Sequence, residues 1–179
     1  MKGKLTQLMG FLAGSLFFIF LDQWTKGLAV RYLKDQPGKV IVKDVFELLY
    51  SENRGAAFSI LQGRQGFLFI ITLVVLALVF YALAKMPVKK RYLPLMLCLT
   101  LLFSGAVGNM IDRVSQGFVV DFLYFSLIDF PIFNVADIYV TGAAAFFLVL
   151  MLWYYKDEEL AVFSLSSKKT NSSGKESGN

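Results

Sequence analysis

Histidine is absent from this 179-residue chain, and cysteine occurs once, as Cys98. Without imidazole there is no Ser-His-Asp or Cys-His catalytic arrangement and no histidine metal ligand. A lone cysteine excludes a disulfide framework and a zinc knuckle. Charge is scarce as well: Asp, Glu, Lys and Arg make up 17% of the residues, against about 25% in an ordinary soluble domain. Hydrophobic residues reach 56% and the mean hydropathy is +0.60. This composition argues against a soluble globular domain and against a disordered chain. If the chain is an enzyme, its chemistry must run on carboxylates, hydroxyls, amines or a cofactor; no metal ligand set and no glycine-rich phosphate loop is visible, and neither a metal nor a cofactor is expected. The basic pI near 9.3 does not point to nucleic acid, because the positive charges are scattered along the chain.

What is present is four apolar stretches. Residues 66–84, 92–111 and 138–155 run 19, 20 and 18 residues without a charge. Stretches of about 18 or more such residues read as transmembrane helices. The first stretch, 8–21, has only 14 residues and reaches spanning length by continuing through Asp22 and Lys26 to about residue 28. The basic N-terminus followed by an apolar run is also the pattern of a cleavable signal peptide, but no A-x-A-like site follows Leu21. An uncleaved first helix is expected, with Trp24 at the interface. The fold class is an all-α membrane protein with four transmembrane helices, spanning about 8–28, 66–84, 92–111 and 138–155. A small strand-containing extracytoplasmic segment joins helices 1 and 2, its strand-like run being Lys39-Val40-Ile41-Val42-Lys43. Residues 1–156 form one integral-membrane domain, and 157–179, rich in Ser and Lys, an irregular cytoplasmic tail.

Orientation follows from the short loops. The link between helices 2 and 3 carries Lys85, Lys89, Lys90 and Arg91, which marks it as cytoplasmic. Both termini then lie inside, where the segments hold ten basic and four acidic residues, against eight basic and nine acidic outside.

The acidic residues of the outer segments sit beside the spans, where a carboxylate is costly and usually faces a protein interior or a wet cavity. Asp22, Asp112, Asp121, Asp129 and Asp137 are the candidates. Two carboxyls held close cannot both ionise, so one keeps a proton near neutral pH, which is the logic of an aspartic peptidase. Structural roles compete with that reading. Asn134-Val135-Ala136-Asp137 matches a helix-capping pattern, and Asn109-Met110-Ile111-Asp112 shares its N-x-x-D form but ends an apolar run instead of starting one. Asp22 and Lys26 form an i,i+4 helix pair worth about 0.3–0.5 kcal/mol. Arg54 and Arg113 fit interfacial cations, Asn53-Arg54-Gly55 fits a turn, and the aromatics from Phe118 to Phe133 fit an interfacial belt. Cys98 fits core packing. Periodicity and spacing alone leave enzyme, carrier and scaffold open.

Five short motifs, taken together and in order, resemble the lipoprotein signal peptidase family (signal peptidase II). They are Asp22-Gln23-Trp24-Thr25-Lys26, Asn53-Arg54-Gly55-Ala56-Ala57-Phe58, Gly108-Asn109-Met110-Ile111-Asp112-Arg113, Val119-Val120-Asp121-Phe122 and Phe133-Asn134-Val135-Ala136-Asp137. The resemblance covers roughly residues 5–155, with no departure at a motif position. It implies an aspartic endopeptidase of the bacterial cytoplasmic (inner) membrane, active near the outer face. Such an enzyme removes signal peptides from prolipoproteins just before a cysteine carrying diacylglycerol. By that resemblance the catalytic pair is Asp121 and Asp137, and Asp22, Lys26, Asn53, Gly55, Asn109, Arg113, Asn134 and Ala136 bind substrate or support the pair. Asp112 matches a position of structural character, and Asp129 matches no motif. The implied partners are lipid-modified prolipoproteins and membrane lipids, and nothing demands more than a monomer. The alternative is a small proton-coupled membrane carrier with Asp121 and Asp137 as relay sites.

Overall fold

In the computed structural model, residues 2–55 and 65–163 are described. The motif residues Ala56, Ala57 and Phe58 and most of the tail lie outside them. Among the described residues, four helices are long and apolar enough to cross a membrane, covering Lys2–Leu33, Gly66–Lys85, Lys90–Gln116 and Val135–Tyr154. Helix α1 (Lys2–Leu33) runs unbroken through Asp22 and Lys26, as its short apolar stretch required. Helices α2 (Gln65–Lys85) and α3 (Leu93–Gln116) flank the basic link, and α3 opens with Pro94 in its first turn, where the missing N–H is no loss. Helix α4 (Val135–Val149) continues into a π-helical turn, Leu150–Tyr154, closed by the bond from Tyr155 N to Leu150 O at 2.8 Å. Large apolar side chains such as Leu16, Phe20, Leu78, Leu152 and Trp153 stand exposed on the helix surfaces. Water would oppose such a surface, whereas lipid solvates it. The chain is a multi-pass membrane protein.

Between α1 and α2 lie strands β1 (Lys39–Val42) and β2 (Phe46–Asn53), where the sequence placed a strand-containing segment. The finding that periodicity missed is β3 (Val119–Tyr124), which follows α3 and pairs antiparallel with β2, Asn53 opposite Val119 and Ser51 opposite Asp121. The segment read as an interfacial aromatic belt is therefore partly a strand of a three-stranded sheet in the order β1-β2-β3. Val119, Val120 and Phe122 are buried, and Phe125 stacks on Phe133.

Among the described residues, the interior has two apolar cores. One joins Phe11, Val79, Leu83, Leu95, Cys98, Leu99 and Leu150 among the helices. The other packs Ala29 and Leu33 of α1 against Val120 and Phe122 of β3. The conserved geometry of a helix places Asp22 and Lys26, one turn apart, between these cores along α1. The irregular tail was expected from residue 157, but 157–163 are structured. Asp157–Leu160 is helical (α5), Ala161–Phe163 adds a 3₁₀ turn, and Glu159 pairs with Arg91 at 3.0 Å. Residues 164–179 lie outside the described residues.

Candidate active site

Asp137 sits in the first turn of α4, and Asn134 caps that helix. Asn134 Oδ1 accepts from Asp137 N at 3.0 Å, and Asp137 Oδ2 accepts from Asn134 N at 3.1 Å. The capping role proposed for this copy of N-x-x-D is real, and it does not exclude a chemical one. The cap uses one oxygen of each side chain and leaves Asn134 Nδ2 and Asp137 Oδ1 for other work. The first copy is different: Asn109 and Asp112 lie inside α3 and cap nothing.

Asn134 Nδ2 donates to Asp121 Oδ1 at 2.6 Å and to Asn109 Oδ1 at 3.1 Å. Asn109 Nδ2 donates to Asp137 Oδ1 at 2.8 Å. The two aspartates are thus joined by two amides, one on α3 and one at the start of α4. Their orientations follow from the donors around them. Lys26 Nζ, which cannot accept, donates to Asn109 Oδ1 at 2.9 Å, so the Asn109 amide nitrogen must face Asp137. Asn134 gives its oxygen to a backbone N–H, so its nitrogen must face Asp121.

Asn53, at the end of β2, donates from Nδ2 to Asp121 Oδ2 at 2.9 Å and accepts from Gly55 N at 2.9 Å. Arg113 Nη2 holds the Gly55 carbonyl at 2.9 Å, and its Nη1 holds Asn109 O at 3.3 Å. The guanidinium therefore grips the protein's own backbone, tying the first outer segment to α3. Asp121 is buried at 2% exposure, whereas Asp137 is half-buried. Burial, and then the neighbouring Asp137 charge, push the Asp121 carboxyl up to about 6. The amides of Asn53 and Asn134 and the charge on Lys26 act in the opposite direction. A carboxyl so placed keeps a proton at a pH where an ordinary aspartate has lost it.

Asp22 and Lys26 are more than the simple i,i+4 pair that their spacing suggested. Asp22 is 0% and Lys26 3% exposed, and Lys26 Nζ meets Asp22 Oδ2 at 2.9 Å and Asp112 Oδ2 at 3.1 Å. The pair is buried and Lys26 is shared with Asp112, so removing the lysine leaves two buried carboxylates uncompensated, at a cost of about 3–5 kcal/mol. Gln23, which the sequence did not single out, donates to Asp112 Oδ1 at 2.9 Å and to Gly108 O at 3.1 Å. Asp129 stands apart: it is exposed, with a left-handed φ of 46°, and accepts from Tyr124 Oη at 2.7 Å. Among the described residues no group of His, Cys, Asp and Glu could hold a metal ion.

Two carboxyls bridged by amides, one of them able to hold a proton, suit activation of a water against a carbonyl. Comparison with known proteins gives the family. The family described as signal peptidase (SPase) II matches residues 15–153. A lipoprotein signal peptidase of Caldanaerobacter subterraneus subsp. tengcongensis is 42% identical over 138 residues, 76% of this chain and 92% of that protein. The Streptococcus thermophilus enzyme of the same name is 44% identical over 138 residues, 77% and 88% of the two chains. Among solved structures, a bacterial membrane enzyme determined at 1.9 Å superposes with a TM-score of 0.70 at 32% identity, covering 82% of this chain and 94% of that one. A second, at 2.3 Å, gives a TM-score of 0.71 at 33% identity over 80% and 87%. These relatives do not favour the carrier reading, and the chain belongs to the signal peptidase II family of membrane peptidases.

Proposed function

We propose that this chain removes the signal peptide of diacylglyceryl-modified prolipoproteins, cleaving just before the lipidated cysteine, with Asp121 and Asp137 as the catalytic pair. The observation that carries this reading is the amide bridge from Asp121 through Asn134 and Asn109 to Asp137. It holds two carboxyls in one polar layer.

The chemistry balances on the two carboxyls and one water. The ionised aspartate takes a proton from the water, and the oxygen adds to the scissile carbonyl carbon. The protonated aspartate, a role that suits Asp121, gives its proton to the carbonyl oxygen, forming a tetrahedral diol. On collapse the C–N bond breaks and a proton passes to the leaving nitrogen. The products are a signal peptide with a free carboxyl end and a lipidated cysteine with a free α-amine. Asn53, Gly55, Asn109, Arg113, Asn134 and Ala136 hold the pair and the backbone around it.

A signal peptide is an apolar helix and its lipidated cysteine is membrane-anchored, so the scissile bond has to be met at the membrane surface. A cleft of about 240 Å³ beside Arg113, lined also by Gly66, Phe69, Thr72, Met110 and Val114, offers apolar walls next to the site. The basic link 85–91 and the basic N-terminus support a cytoplasmic placement of both ends, with the pair at the outer side of a bacterial cytoplasmic membrane. On this reading residues 1–156 act as one membrane domain, working as a monomer.

The test is cleavage of a lipidated prolipoprotein by the purified protein in detergent or nanodiscs, comparing Asp121→Asn, Asp137→Asn and Asp129→Asn. The first two should lose turnover by about 10⁴-fold, and the third should keep it, since asparagine tolerates the left-handed backbone there. Retained cleavage in Asp121→Asn or Asp137→Asn removes that residue from the pair.

A further inference from the structure

Behind the amide bridge lies a second layer, and its connections match one another. Asp22 Oδ1 accepts from the backbone N–H of Ala136 at 2.9 Å, and Ala136 is the residue immediately before Asp137. Asp112 Oδ2 accepts from the backbone N–H of Val120 at 3.2 Å, and Val120 is the residue immediately before Asp121. Lys26 joins the two carboxylates, at 2.9 Å to Asp22 and 3.1 Å to Asp112. Its third proton goes to Asn109 Oδ1 at 2.9 Å, so the ammonium is fully used. Gln23 Nε2 spans the same two carboxylates, at 3.2 Å and 2.9 Å.

We infer that the Asp22–Lys26–Asp112 triad is a spacer that fixes the separation of Asp121 and Asp137 by holding the backbone next to each. The inference rests on the reading of those two residues as the catalytic pair. Asp121 is on a strand and Asp137 at a helix start. Backbone bonds from Phe122 and Leu123 to Phe133 tie the two elements on one side, but they leave the residue before each aspartate less firmly held. A charged acceptor on the adjacent N–H supplies that hold, and the common cation makes the two grips a single unit. The triad is on α1 and α3, the two helices that pack against the elements carrying the pair. All three members are 3% exposed or less, so no solvent relaxes the geometry. Asp22, Lys26 and Asp112 are positioning residues: none touches the reacting atoms.

The design of the test is to separate length from charge. Asp112→Glu and Asp22→Glu keep the charge but move the gripping oxygen by one methylene. Asp112→Asn and Asp22→Asn keep the length and remove the charge. The triple variant Asp22→Asn/Lys26→Met/Asp112→Asn has no buried charge left uncompensated and covers the case where single variants fail to fold. Each is assayed as purified full-length enzyme on lipidated prolipoprotein, with kcat and KM referred to the folded fraction read by thermal unfolding. The spacer predicts that the Glu variants lose kcat by about 10²-fold, as misplacement of a reacting group by about 1 Å does. The triple variant should fold and lose kcat comparably, with KM within about twofold of wild type in every case. Wild-type kcat per folded molecule in the Glu variants or in the triple variant overturns the spacer. So does a rise in KM that accounts for the whole loss. Turnover surviving in Asp121→Asn or Asp137→Asn would instead overturn the catalytic assignment beneath it.

Discussion

Asn134 donates its side-chain amide to Oδ1 of Asp121 at 2.6 Å while its oxygen caps α4 through the N–H of Asp137 at 3.0 Å. One residue thus holds both aspartates, by different atoms. The two duties separate in Asn134→Ser. Serine caps a helix about as well as asparagine, but its hydroxyl is too short to bridge the pair. The expected result is turnover lowered by about 10²-fold (roughly 2.7 kcal/mol of barrier) with the helix cap intact. Asn134→Ala should lose turnover to the same extent and cost about 1 kcal/mol more in stability, the worth of the missing cap. Turnover and thermal unfolding of the two variants, measured together, check this. Full activity in Asn134→Ser would show that the cap alone matters.

Asp121 supplies a pH signature. An aspartate in an unfolded chain titrates near 3.9, while in the folded protein burial and the Asp137 charge push Asp121 up to about 6. Between those values the folded state binds more protons than the unfolded state, so stability must fall as pH rises. The contribution is fully present below about pH 4 and lost above about pH 6, and a gap of that size corresponds to about 3 kcal/mol. In Asp121→Asn the group no longer titrates. The difference in Tm, wild type minus Asp121→Asn, should therefore decrease from pH 4 to pH 7 and be flat beyond. Unfolding scans across that range in one detergent give the curve, and parallel Tm profiles for the two proteins would contradict the raised carboxyl.

How far the sequence reaches depends on the kind of signal. The spans were legible because three charge-free stretches are long enough to cross lipid, and α1 was legible once its run was extended through Asp22 and Lys26. Asn53, Asn109, Asn134, Asp121 and Asp137 were legible through the motifs, and the structure brings them into one hydrogen-bonded set. β3 was not legible, because six residues of mixed character acquire a strand conformation only by pairing with β2, which lies far away in sequence. The burial of Asp22 and Lys26 was hidden for a related reason. An i,i+4 spacing fixes a shared helix face but says nothing of what packs on that face, and only Asp112 from α3 turns the pair into a triad. The backbone N–H groups of Val120 and Ala136 have no side-chain signature at all, so their capture by carboxylates is visible only in three dimensions.

Close approach of α3 to the polar layer makes the final prediction. A Cβ on Gly108 would lie 2.5 Å from Asp22 Oδ2, and one on Gly105 would lie 2.5 Å from Ala136 O and 2.7 Å from Val140 Cγ2. Neither neighbour has room to yield: the Asp22 carboxylate is fixed by Lys26 and Ala136 N, and the Ala136 carbonyl is backbone. In an unobstructed helix, alanine is favoured over glycine by about 1 kcal/mol. Gly142, in the middle of α4, has nothing within 4 Å of a built Cβ and so reports that intrinsic gain. Gly142→Ala should raise Tm, whereas Gly105→Ala and Gly108→Ala should lower it, each losing about 1–3 kcal/mol of stability to overpacking. The two destabilised variants should also lose turnover beyond their folded fraction, because the displaced atoms belong to the residues that seat Asp137. Thermal unfolding of the three proteins side by side decides the matter, and a Tm increase common to all three would mean that α3 does not press on Asp22 and Ala136.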